Sequence, residues 1–437
     1  MNLLVVEIIL FSHAMAAAPF IKNLIKGKMP NTAHFAVISI ILYYDLGLII
    51  ETLGLSVGNA YFLPFFDANP WIVFKAVILL ILAPWLFIAG SRIKNKEDGQ
   101  DLTNTYSHLR ESRKSIFYIL IISISVCLSI VGVNEILNTD NLWSTRAVVT
   151  EKWGPYIVFL YLPLHFLAFY TKQSDSNPKL GLIFSWGLLL ATVLSTLGIG
   201  QRTNLLLPVL ILVLFRKKIS LQKVGIFLAV ALIAASALLP FFKWQKADSQ
   251  DVSASLGTLI AETIEVDFYR GGVLVTALEK SELLGTKIMP YPMSGYIYTL
   301  LFYIPRNIAP FKGWSTSQTF TSVIDKTPVE ETAWAFGVGA IEELLLSIGF
   351  IWTIPCLFIY GIGMGMLDKL GSRVPSLLIP TRLAAIWVCG YESSTLLLTF
   401  GTMAAVSLGL HSLFVGRHSG QKLMPECDLT RKFTRSI

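Results

Sequence analysis

Lys and Arg crowd into every second gap between long apolar runs, and that alternation leaves few folds open to the chain. The runs lie at about 3–21, 34–57, 71–90, 115–134, 154–170, 180–199, 203–215, 223–242, 350–367, 374–390 and 396–415. About 20 apolar residues cross a bilayer core as a helix, so the reading is an all-α polytopic membrane protein with about eleven transmembrane helices. The first gap holds Lys22, Lys26 and Lys28, and the third Arg92, Lys94, Lys96, Arg110, Arg113 and Lys114. Lys172 and Lys179 follow in the fifth, Arg216, Lys217, Lys218 and Lys223 in the seventh, Lys369 and Arg373 in the ninth. The short even gaps hold only Arg146, Lys152 and Arg202. Basic connections stay on the cytoplasmic side, so the N-terminus is expected outside and the basic C-terminal tail inside.

Composition agrees. Charged residues make up 14% of the 437 against roughly 25% in soluble domains, and the mean hydropathy is +0.63. The net charge of +7 sits in connections between apolar runs, so it reads as membrane orientation and not as affinity for nucleic acid. Cys127, Cys356, Cys389 and Cys427 show neither CxxC nor metal-ligand spacing, which argues against a disulfide framework or a zinc site. The N-terminus lacks a basic leader segment, and Glu7 interrupts its apolar run. It reads as a retained first span.

One interval, about 243–349, breaks the rhythm. It falls on the outer, periplasmic or extracellular side, is acidic on balance, and is too long for an idle connector. We expect it to form a small cap or membrane-lying helices within a single membrane domain, 1–437. At its heart is Tyr303–Trp314, where Pro305 and Pro310 stiffen the backbone and Arg306 and Lys312 lie among Tyr303, Phe311 and Trp314. Rigid backbone, two cations and an aromatic border suit an anionic lipid headgroup, although a loop resting on anionic lipid has the same composition. Arg202 in GIGQRTN and Arg270 in FYRGG are further outer cations, and arginine binds phosphate through a fork that cannot lose its charge. Arg202 could equally anchor to headgroups, and Arg270 could pair with Glu265 or Asp267 along a helix.

Among the outer acids, Glu343 stands apart. FGVGAIEELLLSIGF places it in an apolar, glycine-flanked helix at the outer mouth of a span. Desolvation there would raise its pKa toward the range of a general base; the competing role is a carboxylate at a helix's positive end. Arg382 lies inside a run and needs a partner, with Glu392 and Asp45 as candidates. All six histidines lie outside the long interval, and the chain has no HExxH and no DxD-like cluster at a membrane boundary. Glu342–Glu343 resembles the EExxxR start of intramembrane CAAX-type proteases. Ser347 occupies the arginine position and no histidine pair follows, so that reading is rejected.

The order Gly200–Arg202, then LLGTKIMPYPMSGYIYTLLFYIPRNIAPFKGW, then GAIEELLLSIGF resembles bacterial O-antigen or oligosaccharide repeat-unit polymerases of the Wzy type. Pro305, Arg306, Pro310 and Lys312 match that family's Pro-Arg…Trp-Pro-x-Lys-Pro segment. Gly339, Glu343 and Gly349 match its Gly…Glu-Leu-x-x-x-x-Gly helix. Ala309 and Gly313 depart from it. The resemblance covers about 150 residues (200–350). It implies a GT-C-like, metal-independent glycosyltransferase in the bacterial inner membrane, with no cofactor. Such an enzyme moves a growing glycan from undecaprenyl diphosphate to an undecaprenyl-diphosphate-linked repeat unit, with inversion at the anomeric centre.

In that reading Arg306 and Glu343 are the candidate catalytic residues. Arg202, Arg270, Lys312 and Arg382 are candidate diphosphate or glycan contacts. Partners would be the lipid-linked oligosaccharide, membrane lipid and a chain-length regulator, with no nucleic acid. An O-antigen ligase is the nearest rival, but that family relies on a histidine in its periplasmic loop, and this loop has none. A transporter of lipid-linked sugar would be expected to show inverted repeats and broken helices in corresponding halves, which the sequence does not reveal, and a non-catalytic scaffold would bind the regulator through its outer loop.

Overall fold

The computed structural model describes residues 2–26, 28–55, 62–94, 99–100, 111–137, 159–173, 178–197, 211, 269–284, 288–302, 304, 307–332 and 337–414. The runs at 203–215 and 223–242 lie, Ile211 apart, outside these residues, and so do Arg202 and Arg306.

Among the described residues, six helices are long and apolar enough to cross a membrane: Asn2–Ile25, Thr32–Thr52, Pro70–Lys94, Tyr118–Glu135, Phe350–Arg373 and Ser393–Leu413. Phe159–Phe169, Trp186–Ser195 and Leu378–Trp387 are apolar but shorter. Where the sequence suggests a span at 374–390, the helix is ten residues, Leu378–Trp387. That is about 15 Å of helix, half of a hydrocarbon core of about 30 Å.

We label the helices in chain order. They are α1 (Asn2–Ile25), α2 (Thr32–Ile40), α3 (Leu46–Thr52), α4 (Pro70–Lys94), α5 (Glu111–Leu137), α6 (Leu162–Gln173) and α7 (Pro178–Leu197). Then come α8 (Arg270–Leu284), α9 (Ser294–Leu300), α10 (Thr316–Asp325), α11 (Ala340–Ile348), α12 (Phe350–Arg373), α13 (Leu378–Trp387), α14 (Ser393–Leu396) and α15 (Thr402–Phe414). A π-helical turn, Ile41–Asp45, joins α2 to α3, and another, Leu397–Gly401, joins α14 to α15. Such turns carry one surplus residue and recur at functional sites.

α12 lies directly on α4. Gly361 and Gly365 face the backbone at Phe87 and Ser91, and Gly90 faces Phe358. Helices that do not gain from expelling water must gain from close contact, which small residues permit. α1 is tied to both neighbours by one buried side chain: His13 Nδ1 lies 2.7 Å from Asp45 Oδ1, and Nε2 lies 2.9 Å from the Leu80 carbonyl.

Among the described residues, the basic connections after α1 and α4 and the basic end of α12 meet at one end. Met29–Pro30 (β1) pairs antiparallel with Gly99–Gln100 (β2), joining the gap after α1 to the gap after α4. Asp368, near the end of α12, accepts from the backbone N–H and hydroxyl of Thr32. Arg382 belongs to this same end. It is fully buried, donates from Nε to the Pro30 carbonyl at 2.9 Å, and faces Asp368 at 3.7 Å. Its partner is therefore Asp368 and neither Glu392 nor Asp45, which are bonded elsewhere.

Candidate functional site

The chain reverses between α11 and α12. Gly349 takes φ 79° and ψ 170°, a region open in practice only to glycine. Glu343 and Tyr360 would be about 25 Å apart along one continuous helix. Instead both touch the same hydroxyl: Ser393 Oγ donates to Glu343 Oε2 at 2.6 Å and lies 3.3 Å from Tyr360 Oη. Tyr360 is the eleventh of the 24 residues of α12. Glu343 thus lies beside the middle of α12. α11, α9 and the start of α10 fold in beside the spans, where a free-standing cap would have left Glu343 outside.

Neighbouring acids on α11 diverge because successive helical residues point about 100° apart. Glu342, fully buried, accepts from Tyr44 Oη at 2.6 Å and from the Gly339 N–H at 3.0 Å. It caps its own helix and ties it to the π turn of the second span. Glu343, 1% exposed, turns the other way. Its Oε2 also accepts the Ser393 N–H at 2.9 Å, and its Oε1 the Thr316 hydroxyl at 3.3 Å. The role at the positive end of its own helix falls to Glu342, whereas Glu343 caps the helix that starts at Ser393. Glu392 completes the group, accepting the Ser317 N–H at 2.8 Å and the Ser394 hydroxyl at 2.7 Å. Three helix N-termini, those of α10, α11 and α14, meet here, and the acids satisfy donors that no helix can satisfy internally.

Burial, reinforced by the nearby Glu392 charge, pushes the Glu343 carboxyl up to about 7, against the pull of its bonds to Ser393 and Thr316. A group poised there takes or gives a proton at neutral pH with little driving force either way. Tyr360 Oη lies 3.1 Å from Tyr296 Oη, extending the polar line to α9.

Of the cations expected in a site, three are described, and all three hold backbone. Arg270 donates to the carbonyls of Gly337 (2.6 Å) and Gly390 (3.0 Å) and stacks over Tyr43. It bridges two breaks in helical structure whose carbonyls would otherwise want donors. Lys312, 6% exposed, donates to the carbonyls of Phe302 (2.7 Å) and Ile304 (2.9 Å), fixing the approach to Arg306. Arg382 faces Asp368, about 12 Å along α12 from Tyr360 and so from the level of Glu343. The structure does not bring Arg382 together with Glu343.

Sequence reasoning missed Ser393, Tyr360, Tyr296, Thr316 and Tyr44. Two signals were present: the polar string Tyr391–Ser394 between two apolar runs, and Tyr43–Asp45 in the middle of one. No known family, curated protein or solved structure matches the chain.

Proposed function

We propose that the protein is a membrane glycosyltransferase that polymerises lipid-diphosphate-linked glycan units on the outer face of the bacterial inner membrane, as Wzy-type polymerases do. The supporting observation is Glu343: a carboxyl 1% exposed, held by two hydroxyls and a helix N-terminus beside a second acid. Joining two sugars needs a proton acceptor for the attacking hydroxyl and positive charge for the departing diphosphate. Glu343 supplies the first. Arg306, with Arg202, would supply the second. The N-terminus would lie in the periplasm and the tail in the cytoplasm.

The test is a strain lacking the chromosomal copy, complemented with wild type, Glu343→Gln or Arg306→Ala at equal membrane abundance. Glu343→Gln and Arg306→Ala should leave single repeat units on the lipid A core where wild type gives a ladder, and wild-type rate in permeabilised membranes should rise as pH passes up through about 7. The sign follows from the role: a base works ionised, so activity is lost below its pKa. A full ladder from both variants overturns the proposal.

One observation favours a second reading. Short helices broken at mid-span, with N-termini converging on buried acids, are also what a transporter uses to hold its cargo and coupling ion. A transport defect would strand lipid-linked units on the cytoplasmic face, whereas a polymerase defect passes them on singly.

A further inference from the structure

Glu343 is 1% exposed and both its oxygens already accept hydrogen bonds, so a sugar hydroxyl has no direct approach to it. The bonds leading away from it reach residues that are less buried: Ser393, Tyr360 and Tyr296 each keep part of their surface exposed. Counting hydrogens gives the line a direction. An ionised carboxylate has none to give, so the Ser393 hydrogen points at Glu343 across 2.6 Å. The single Tyr360 hydrogen is donated to Tyr296 Oη at 3.1 Å, with Ser393 Oγ at 3.3 Å as its alternative acceptor. Turned toward Ser393, it makes a line in which each hydroxyl donates inward, toward the carboxylate.

We propose that Tyr360 and Ser393 relay the acceptor's proton to Glu343, with Tyr296 steadying the Tyr360 hydroxyl at the open end. This rests on the reading of Glu343 as proton acceptor. As the acceptor oxygen bonds to the anomeric carbon, the bond from that carbon to the diphosphate oxygen breaks and its electron pair leaves with the diphosphate. The acceptor's proton passes to Tyr360 Oη, the Tyr360 proton to Ser393 Oγ, and the Ser393 proton to Glu343 Oε2. Each hydroxyl ends neutral and Glu343 ends protonated. Glu392 faces Glu343 from the break before α14, Thr316 from α10, Tyr296 from α9 and Tyr360 from α12. Uptake of the proton relieves the repulsion between Glu343 and Glu392, which favours the inward direction. Tyr360 is the group that touches substrate; Ser393 and Glu343 act through it.

The experiment uses permeabilised membranes of the deletion strain expressing the full chain, with the lipid-linked units already in those membranes as substrate. Polymerisation rates are measured in H2O, D2O and their mixtures. Wild type should slow in D2O with a curved dependence on deuterium content, the mark of more than one proton in flight. Tyr360→Phe and Ser393→Ala should each lose about 100-fold in rate and that curvature, while Ser393→Thr, which keeps the hydroxyl, should restore both. Tyr360→Phe within twofold of wild type with an unchanged isotope effect, beside an inactive Glu343→Gln, overturns the relay and leaves the proton-acceptor reading standing. Glu343→Gln as fast as wild type overturns both. Should Tyr360→Phe fail to accumulate, Ser393→Ala and Ser393→Thr decide between them: equal rates overturn the relay.

Discussion

Arg382 and Asp368 carry opposite charges and are 0% exposed on both sides. Removing one partner of such a pair leaves the other uncompensated, at about 3–5 kcal/mol. Arg382→Ala should therefore lower thermal stability in detergent by that order, with Arg382→Lys recovering part of it; an unchanged melting midpoint would show the pair to be dispensable. That Arg382 needed a partner was legible in the sequence, because a lone charge in an apolar run is costly. Which partner was not legible, because Asp368 and Thr32 approach it only once α2, α12 and α13 have packed. Glu343 was legible as the unusual acid of its pair for a similar reason. Its neighbours were not: Ser393 and Tyr360 are 50 and 17 residues further on, and only the reversal at Gly349 lets one carboxylate meet both.

Long spans announce themselves by length, and those expected before residue 135 are all present as helices. Shorter pieces do not. A ten-residue apolar helix such as α13 reads in sequence like a span with ragged ends, and α11 reads like the start of α12, because one glycine is all that separates them. What holds the pieces is backbone contact: the Ala340 N–H donates to the Val388 carbonyl at 2.8 Å, docking the start of α11 on the end of α13. The same dependence on closeness makes the α4–α12 contact testable. Gly361→Leu would push a side chain into the Phe87 backbone, and overpacking of this kind costs about 1–3 kcal/mol. Reduced thermal stability is expected for Gly361→Leu and little change for Gly363→Leu, whose Cβ position meets open space. Equal effects would mean that the two helices are not held by their small residues.

Across the whole molecule, the paired β1 and β2 and the Asp368–Thr32 contact put three basic connections at one end. The positive-inside rule predicts that this end is cytoplasmic. Cysteines introduced one at a time at Leu55, 56% exposed at the opposite end, and at Lys94, in a chain with its native cysteines replaced, report the orientation. An impermeant maleimide added to cells with a permeabilised outer membrane should label Leu55→Cys and spare Lys94→Cys; the reverse pattern would invert the molecule.

The π turn at Ile41–Asp45 has a bearing on how such a chain can diverge. Deleting one residue there would convert the segment to ordinary helix, and everything from Leu46 to Thr52 would swing by about 100°. Tyr44 could stay near Glu342, but Glu51 would leave the Phe65 and Phe66 N–H groups that it now accepts, and Gly47 would no longer lie under Tyr269. Replacement of side chains in this turn is a small perturbation beside the loss of a single position, so the count of residues from Thr32 to Thr52 should be guarded more strictly than their identities.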